Sequence, residues 1–136
     1  MQAVAIMQAG DRQQAREQLL ELWEIWSEKD APRECCTIAH FLADTEGDPR
    51  AELEWDLRAL EAVTGARDPV EHGQVAAGLE SFLPSLHLNA GDAWRRVGEP
   101  SRAKCHAEIG LAHAHALNGD GYGDMIKAGL ERLRSS

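Results

Sequence analysis

The sequence is poor in the residues that build sheets, cross membranes or staple secreted folds. Its 136 residues hold 5 Val, 5 Ile and 3 Thr against 21 Ala and 15 Leu, a shortage of β-branched side chains that rules out an all-β architecture and favours helix. No apolar run approaches the ~18 residues of a membrane span. The first ten residues also lack the basic start and long apolar centre of a signal peptide, so a cytoplasmic location away from membranes is expected. Cysteine is scarce: Cys35, Cys36 and Cys105 make an odd number with two adjacent, which suits reduced thiols and not a disulfide framework. Positive charge is scarce as well, with 14 Lys plus Arg against 23 Asp plus Glu and a net charge of −9. Such a chain repels phosphate backbones, so nucleic acid is not an expected partner. Residues 1–64 carry 6 basic and 14 acidic side chains and residues 65–136 carry 8 and 9, which concentrates the negative field in the first half and favours a basic ligand. The plainer role for these carboxylates is to keep exposed helix faces hydrated.

What is present reads as helices. Pro49, Pro69 and Pro100 directly follow Asp48, Asp68 and Glu99, and Pro32 lies two after Asp30, an order in which the acidic residue answers the free N–H groups of a helix that proline begins. Pro84 starts a helix or kinks one. Gly10, Gly47, Gly65, Gly98 and Gly119 fall where apolar periodicity runs out, the place for a left-handed C-terminal cap. These signals predict helices at about 2–9, 11–28, 32–46, 49–64, 82–97, 100–118 and 123–134 in one domain spanning 1–136. Residues 65–81 read as an inserted connector with one short helix after Pro69. In 100–118 the stripe Ala103, Ala107, Gly110, Ala114, Leu117 is small for its first four members, so another backbone can approach closely. The facing stripe Leu83, Leu86, Ala90, Trp94, Val97 in 82–97 is bulkier, and such complementary helices form antiparallel hairpins.

The hairpins recur. Gly10-Asp-Arg-Gln-Gln-Ala15, Gly47-Asp-Pro-Arg-Ala51 and Gly98-Glu-Pro-Ser-Arg-Ala103 each join two amphipathic helices, at spacings of 37 and 51 residues. With Gly98 as the inter-helix glycine, Gly91, Trp94 and Ala103 fall on the small, aromatic and alanine positions of the tetratricopeptide repeat, and the chain resembles that family. Departures are Ala107 in place of an aromatic, a missing closing proline, His40 in place of a small residue, and a first copy with nine residues before Gly10. The run from Asp120 to Leu133, with Ala43-Asp44 and Glu54 to Leu60, is similar to small actinobacterial tetratricopeptide-like proteins. The resemblance implies an all-α fold: an α-α superhelix of about three antiparallel hairpins, closed by a C-terminal capping helix over residues 122–136. An incomplete first hairpin leaves Val4, Ile6 and Met7 poorly covered, which favours a homodimer through that end.

The resemblance also implies a concave groove lined by the first helix of each pair. Its groove positions fall on Glu34, Thr37, Phe41 and Asp44, then on Ser85, Leu88, Asn89, Asp92, Arg95 and Arg96. Asn89 with two arginines suits a carboxylate, whereas Glu34, Asp44 and Asp92 oppose one, so the mixed set points to a basic or zwitterionic peptide or protein. A competing reading pairs these polar side chains with each other. Cys35 and Cys36 read as one core thiol and one flanking thiol, and Asp120 and Tyr122 as caps of the last helix. Trp23, Trp26, Trp55 and Trp94 read as core wedges, with one of the first two exposed. His106 and His113 share a helix side two turns apart, while His113 and His115 point about 200° apart. No HExxH, paired CxxC, GxSxG or Walker loop occurs. The expected function is therefore noncatalytic partner binding without metal or cofactor. The alternative is a small-molecule or metal-responsive sensor or enzyme with a pocket near His40, His87 and Trp94.

Overall fold

A computed structural model describes residues 11–136. The expected helix at 2–9, the glycine cap at Gly10 and the association surface at Val4, Ile6 and Met7 lie outside the described residues. Six α-helices follow in order: α1 (Arg12–Trp26), α2 (Pro32–Thr45), α3 (Pro49–Thr64), α4 (Leu83–Arg96), α5 (Pro100–Ala112) and α6 (Gly121–Ser135). Three 3₁₀ turns interrupt the connections, at Pro69–Glu71, Glu80–Phe82 and Ala114–Ala116, and no strand occurs among the described residues. Each helix packs on the next, most closely in the hairpins α2–α3 and α4–α5, and α4 also packs on α6.

The punctuation acts largely as chemistry dictates. Pro32, Pro49 and Pro100 open their helices and Pro84 is the second residue of α4. The carboxylates of Asp11, Asp48 and Asp120 accept from the amides of Gln14, Arg50 and Gly123. Glu99, by contrast, makes no side-chain cap, and the residue at the cap of α2 is Ala31, not Asp30. Gly65 and Gly98 are left-handed at φ 82° and 91°, but Gly47 and Gly119 are not. At Gly47 the chain instead turns extended at Glu46, and Asp48 stays extended as the proline after it requires.

Helix α5 stops at Ala112, short of the expected 118, because the next turn tightens to 3₁₀. That turn undoes the 200° divergence of His113 and His115. Their ring nitrogens lie 3.4 and 3.2 Å from one Glu80 carboxylate oxygen, so the connector ties the two imidazoles together. The connector itself is fastened to the end of α3, where the Gly73 and Ala76 amides donate to the Thr64 and Val63 carbonyls. It sends Leu79 into the core, 2% exposed.

Leu19, Leu42, Leu60 and Leu83 from four helices are fully buried together in the main core, with Trp55 edge-on to half-buried Trp23. Neither Trp23 nor Trp26 is left fully exposed; both lie half-buried against that core. Cys35 and Cys36 are both buried, correcting the expected flank thiol. Helix α2 is covered by neighbours on more than one side, so residues 100° apart both lose solvent, and Cys35 Sγ donates to the Trp26 carbonyl. Between α4 and α5 the small residues set the spacing: a Cβ on Gly91 would lie 3.2 Å from the Ala103 carbonyl oxygen and 2.5 Å from Leu133. Ala103→Leu, at a site 1% exposed, is expected to cost ~1–3 kcal/mol by overpacking. An unchanged melting temperature would contradict the close approach.

Candidate functional site

Helices α2, α4 and α6 turn one face each toward a shared cleft. The i, i+4 pairs Thr37/Phe41, Ser85/Asn89 and Tyr122/Ile126 line it, together with His40 and Phe82, around a space of about 390 Å³. Asn89 and Ile126 also line a neighbouring recess of about 540 Å³, whose other walls include Leu88, Asp92, Arg95, Met125 and Arg132. The two spaces thus form one groove along α4. Across it, the Asn89 amide nitrogen sits 3.4 Å from His40 Nδ1, linking α2 to α4. Tyr122 and Met125 stand 56% and 59% exposed at its α6 wall.

One turn past His40 and Asn89 lies an acidic cluster, of which Asp92 alone lines the groove. Asp44 on α2, Glu52 and Asp56 on α3 and Asp92 on α4 act on one another, with Arg96 as the neighbouring cation. Arg96 is already engaged: its Nη2 donates to Glu52 at 2.7 Å and its Nε to Asp92 at 3.0 Å. Burial opposes ionisation of Asp92, yet hydrogen bonds from Arg95 and Arg96 hold its carboxyl below the usual range. Asp56 has no such help. It is 3% exposed, and its Oδ2 lacks a hydrogen-bond partner among the described residues. Burial first, then the charges of Glu52, Asp44 and Asp92, push its pKa up to about 8.

The sequence-derived groove set divides. Thr37, Phe41, Ser85 and Asn89 meet in the first cleft, and Leu88, Asn89, Asp92 and Arg95 in the second. Glu34 does not join them: it lines a different cleft with Leu22, Trp26 and Ile38, on the α1 side of α2. Arg96 reaches sideways to α3, and Asp44 belongs to the acidic cluster and lines neither space. The pairing of polar residues with each other is therefore true of Asp92, Arg95 and Arg96. Asp120 caps α6 as expected, but Tyr122 faces the groove instead. Sequence reasoning missed Asp56 and Glu52, although Asp56 sits at a helical interval from buried Leu53 and Leu60, where an apolar residue would be ordinary.

Comparison with protein-family models, curated proteins and solved structures finds no match. The chemistry of the site must then speak for itself.

The pocket imagined around His40, His87 and Trp94 does not form. His40 lies in the α2–α4–α6 cleft, Trp94 lines another with Leu57, Arg102 and His106, and His87 is wholly buried between α4 and α5. The reason is that His87 occupies the α4 face turned to α5, while Asn89, the partner of His40, occupies the face turned to α2. His87 Nδ1 is 3.0 Å from His106 Nδ1, so one ring donates and the other accepts, and the His72 ring packs 5.2 Å from His87. Burial, with His106, His72 and His113 adding, lowers His87 to about 2; burial and His72 lower His106 to about 4. Burial likewise raises the Cys35 thiol and takes Cys36 up to about 12, so neither is a ready nucleophile.

Proposed function

We propose that this chain is a noncatalytic interaction module, a tetratricopeptide-like stack in which the hairpins α2–α3 and α4–α5, closed by α6, present the α2–α4–α6 groove to a protein or peptide. The observation that carries the reading is the convergence of three i, i+4 pairs on one cleft, with Tyr122 open on its α6 wall and Met125 open in the adjoining recess. Its occupant is an extended or helical segment that sets an apolar side chain against Phe41 and Ile126. Asp92 on its wall, with the acidic cluster beside it, favours a basic residue on that segment, in keeping with the net charge of −9. Buried, neutral imidazoles and high-pKa thiols support a binding role over a catalytic one.

The test uses the fluorescein-labelled peptide acetyl-Leu-Gly-Arg-Gly-amide in an anisotropy titration. Tyr122→Ser is expected to weaken its binding about fivefold or more, because an exposed aromatic contact is lost. The melting temperature should stay within about 2 °C, since Tyr122 lies outside the core. Equal affinity for both proteins would sink the α6 wall as a binding surface.

A further inference from the structure

We propose that a second cleft, where α3, α4 and the connector meet the head of α5, binds a small monocarboxylate with an apolar body. The space measures about 440 Å³ and shares no lining residue with the α2–α4–α6 groove. Leu57, Pro69 and Trp94 supply apolar walls, while Ser101, Arg102 and His106 bring polar groups from α5.

His106 is the side chain that points to a ligand. It is 2% exposed, and its Nδ1 is held 3.0 Å from His87 Nδ1. Its Nε2 makes no hydrogen bond among the described residues, yet it is not sealed as the unpartnered Nε2 atoms of His72 and His87 are; it opens on the cleft that the ring lines. The tautomer follows from the orphan behind it. A proton on the sealed His87 Nε2 would be a buried donor with no acceptor, the rarer and costlier case, so His87 keeps its proton on Nδ1 and donates it to His106. His106 then carries its own proton on Nε2 and offers an N–H to the cleft.

The surrounding groups suit one negative charge. Glu99 makes no side-chain cap, and the amides of Ser101 and Arg102 that open α5 find no acceptor among the described residues. Arg67 is already spent, 2.8 Å from Glu54 and 3.6 Å from Glu61, whereas Arg102 rests 4.8 Å over the Trp94 ring with no carboxylate partner among the described residues. Arg102 also acts on His106 as a neighbouring charge, so the two donors lie within reach of one small ligand. Asp68 lines the same cleft and acts on His106 and Cys105, and it would repel a second negative charge. A carboxylate can accept from His106 and the Arg102 fork together while its hydrocarbon lies against Leu57 and Pro69.

Titration of the full chain with hydrocinnamate, followed in ¹H–¹⁵N spectra that include the long-range imidazole correlations, tests this. Shifts are expected to saturate at millimolar probe for Ser101, Arg102 and His106 Nε2, with none at Thr37 or Phe41 of the groove. Hydrocinnamamide, which is uncharged, and phenyl phosphate, a dianion at about pH 7.5, should each bind about tenfold more weakly or worse. Arg102→Gln, at an exposed position, should cut the preference for the acid over the amide to below about threefold with the fold intact. In the free protein the imidazole spectrum should show His106 protonated at Nε2. Protonation at Nδ1 would overturn the donor on which the site rests, and an undiminished preference in Arg102→Gln would overturn the role of the guanidinium. Equal binding of acid and amide, equal or tighter binding of the phosphate, or no shift at these residues up to about 20 mM would overturn the site itself.

Discussion

Replacing Asp56 by Asn is expected to raise the melting temperature markedly at pH 8 and to change it little at pH 4. In the unfolded chain this carboxyl ionises near its ordinary 3.8, whereas in the folded protein it holds its proton up to about 8. Between those values the folded state binds one more proton than the unfolded, so stability falls as pH rises, by about 1.4 kcal/mol per pH unit. Above pH 8 the penalty is complete. Asparagine matches the shape of the protonated acid and cannot ionise, so it escapes the penalty. Relaxation around the charge trims the full amount, leaving a gain of about 2–4 kcal/mol, or on the order of 10 °C. Thermal melts of both proteins from pH 4 to 9 check this. Parallel curves would mean that Asp56 is ionised in the fold and that its neighbours are arranged otherwise than described.

Acid should act through the imidazoles with the opposite sign. His87 and His106 are neutral in the fold down to about 2 and about 4, but ionise near 6.5 when unfolded. From pH 6.5 to 4 the unfolded chain therefore binds two more protons at these sites, and stability falls as pH falls, by about 2.7 kcal/mol per unit for the pair. Asp56 works against this across the same window with about half the slope. The stability maximum is thus expected near pH 6.5, with an acid limb from the histidines and an alkaline limb from Asp56. His87→Leu with His106→Leu removes both partners of the 3.0 Å contact and leaves neither orphaned. At pH 4.5 the double variant should melt well above the natural chain, while at pH 7 the two should agree within about 1.5 kcal/mol. Loss of stability at both pH values would show that the rings contribute packing and not a proton penalty.

Much of this was legible in the residues. Prolines at 32, 49 and 100 and glycines at 65 and 98 mark helix ends because their backbone limits are local properties. The small stripe Ala103, Ala107, Gly110 foretold the close α4–α5 approach, since volume is also a local property. Thr37, Phe41, Ser85 and Asn89 were placed by the family's groove positions, and the four-residue spacing within each pair keeps it on one helix face. What escaped depends on how helices are set against each other. Asp56 shares a helical interval with Leu53 and Leu60, but its carboxyl reads as a surface group, and only the packing of α2 and α4 brings its charged neighbours together. His72 comes from a glycine-spaced connector, and its stacking on His87 follows from the fastening of that segment to Thr64 and Val63. Glu34 was placed by the family's groove positions, yet its turn of α2 faces α1.

The central claim is that α2, α4 and α6 share one binding face, and an ¹H–¹⁵N correlation titration with acetyl-Leu-Gly-Arg-Gly-amide tests it most directly. The account predicts that the amides of Thr37, Phe41, Asn89, Tyr122 and Ile126 move together along a single saturation curve. Shifts confined to Leu22, Trp26, Glu34 and Ile38 on the α1 side, or no shifts at millimolar peptide, would contradict it.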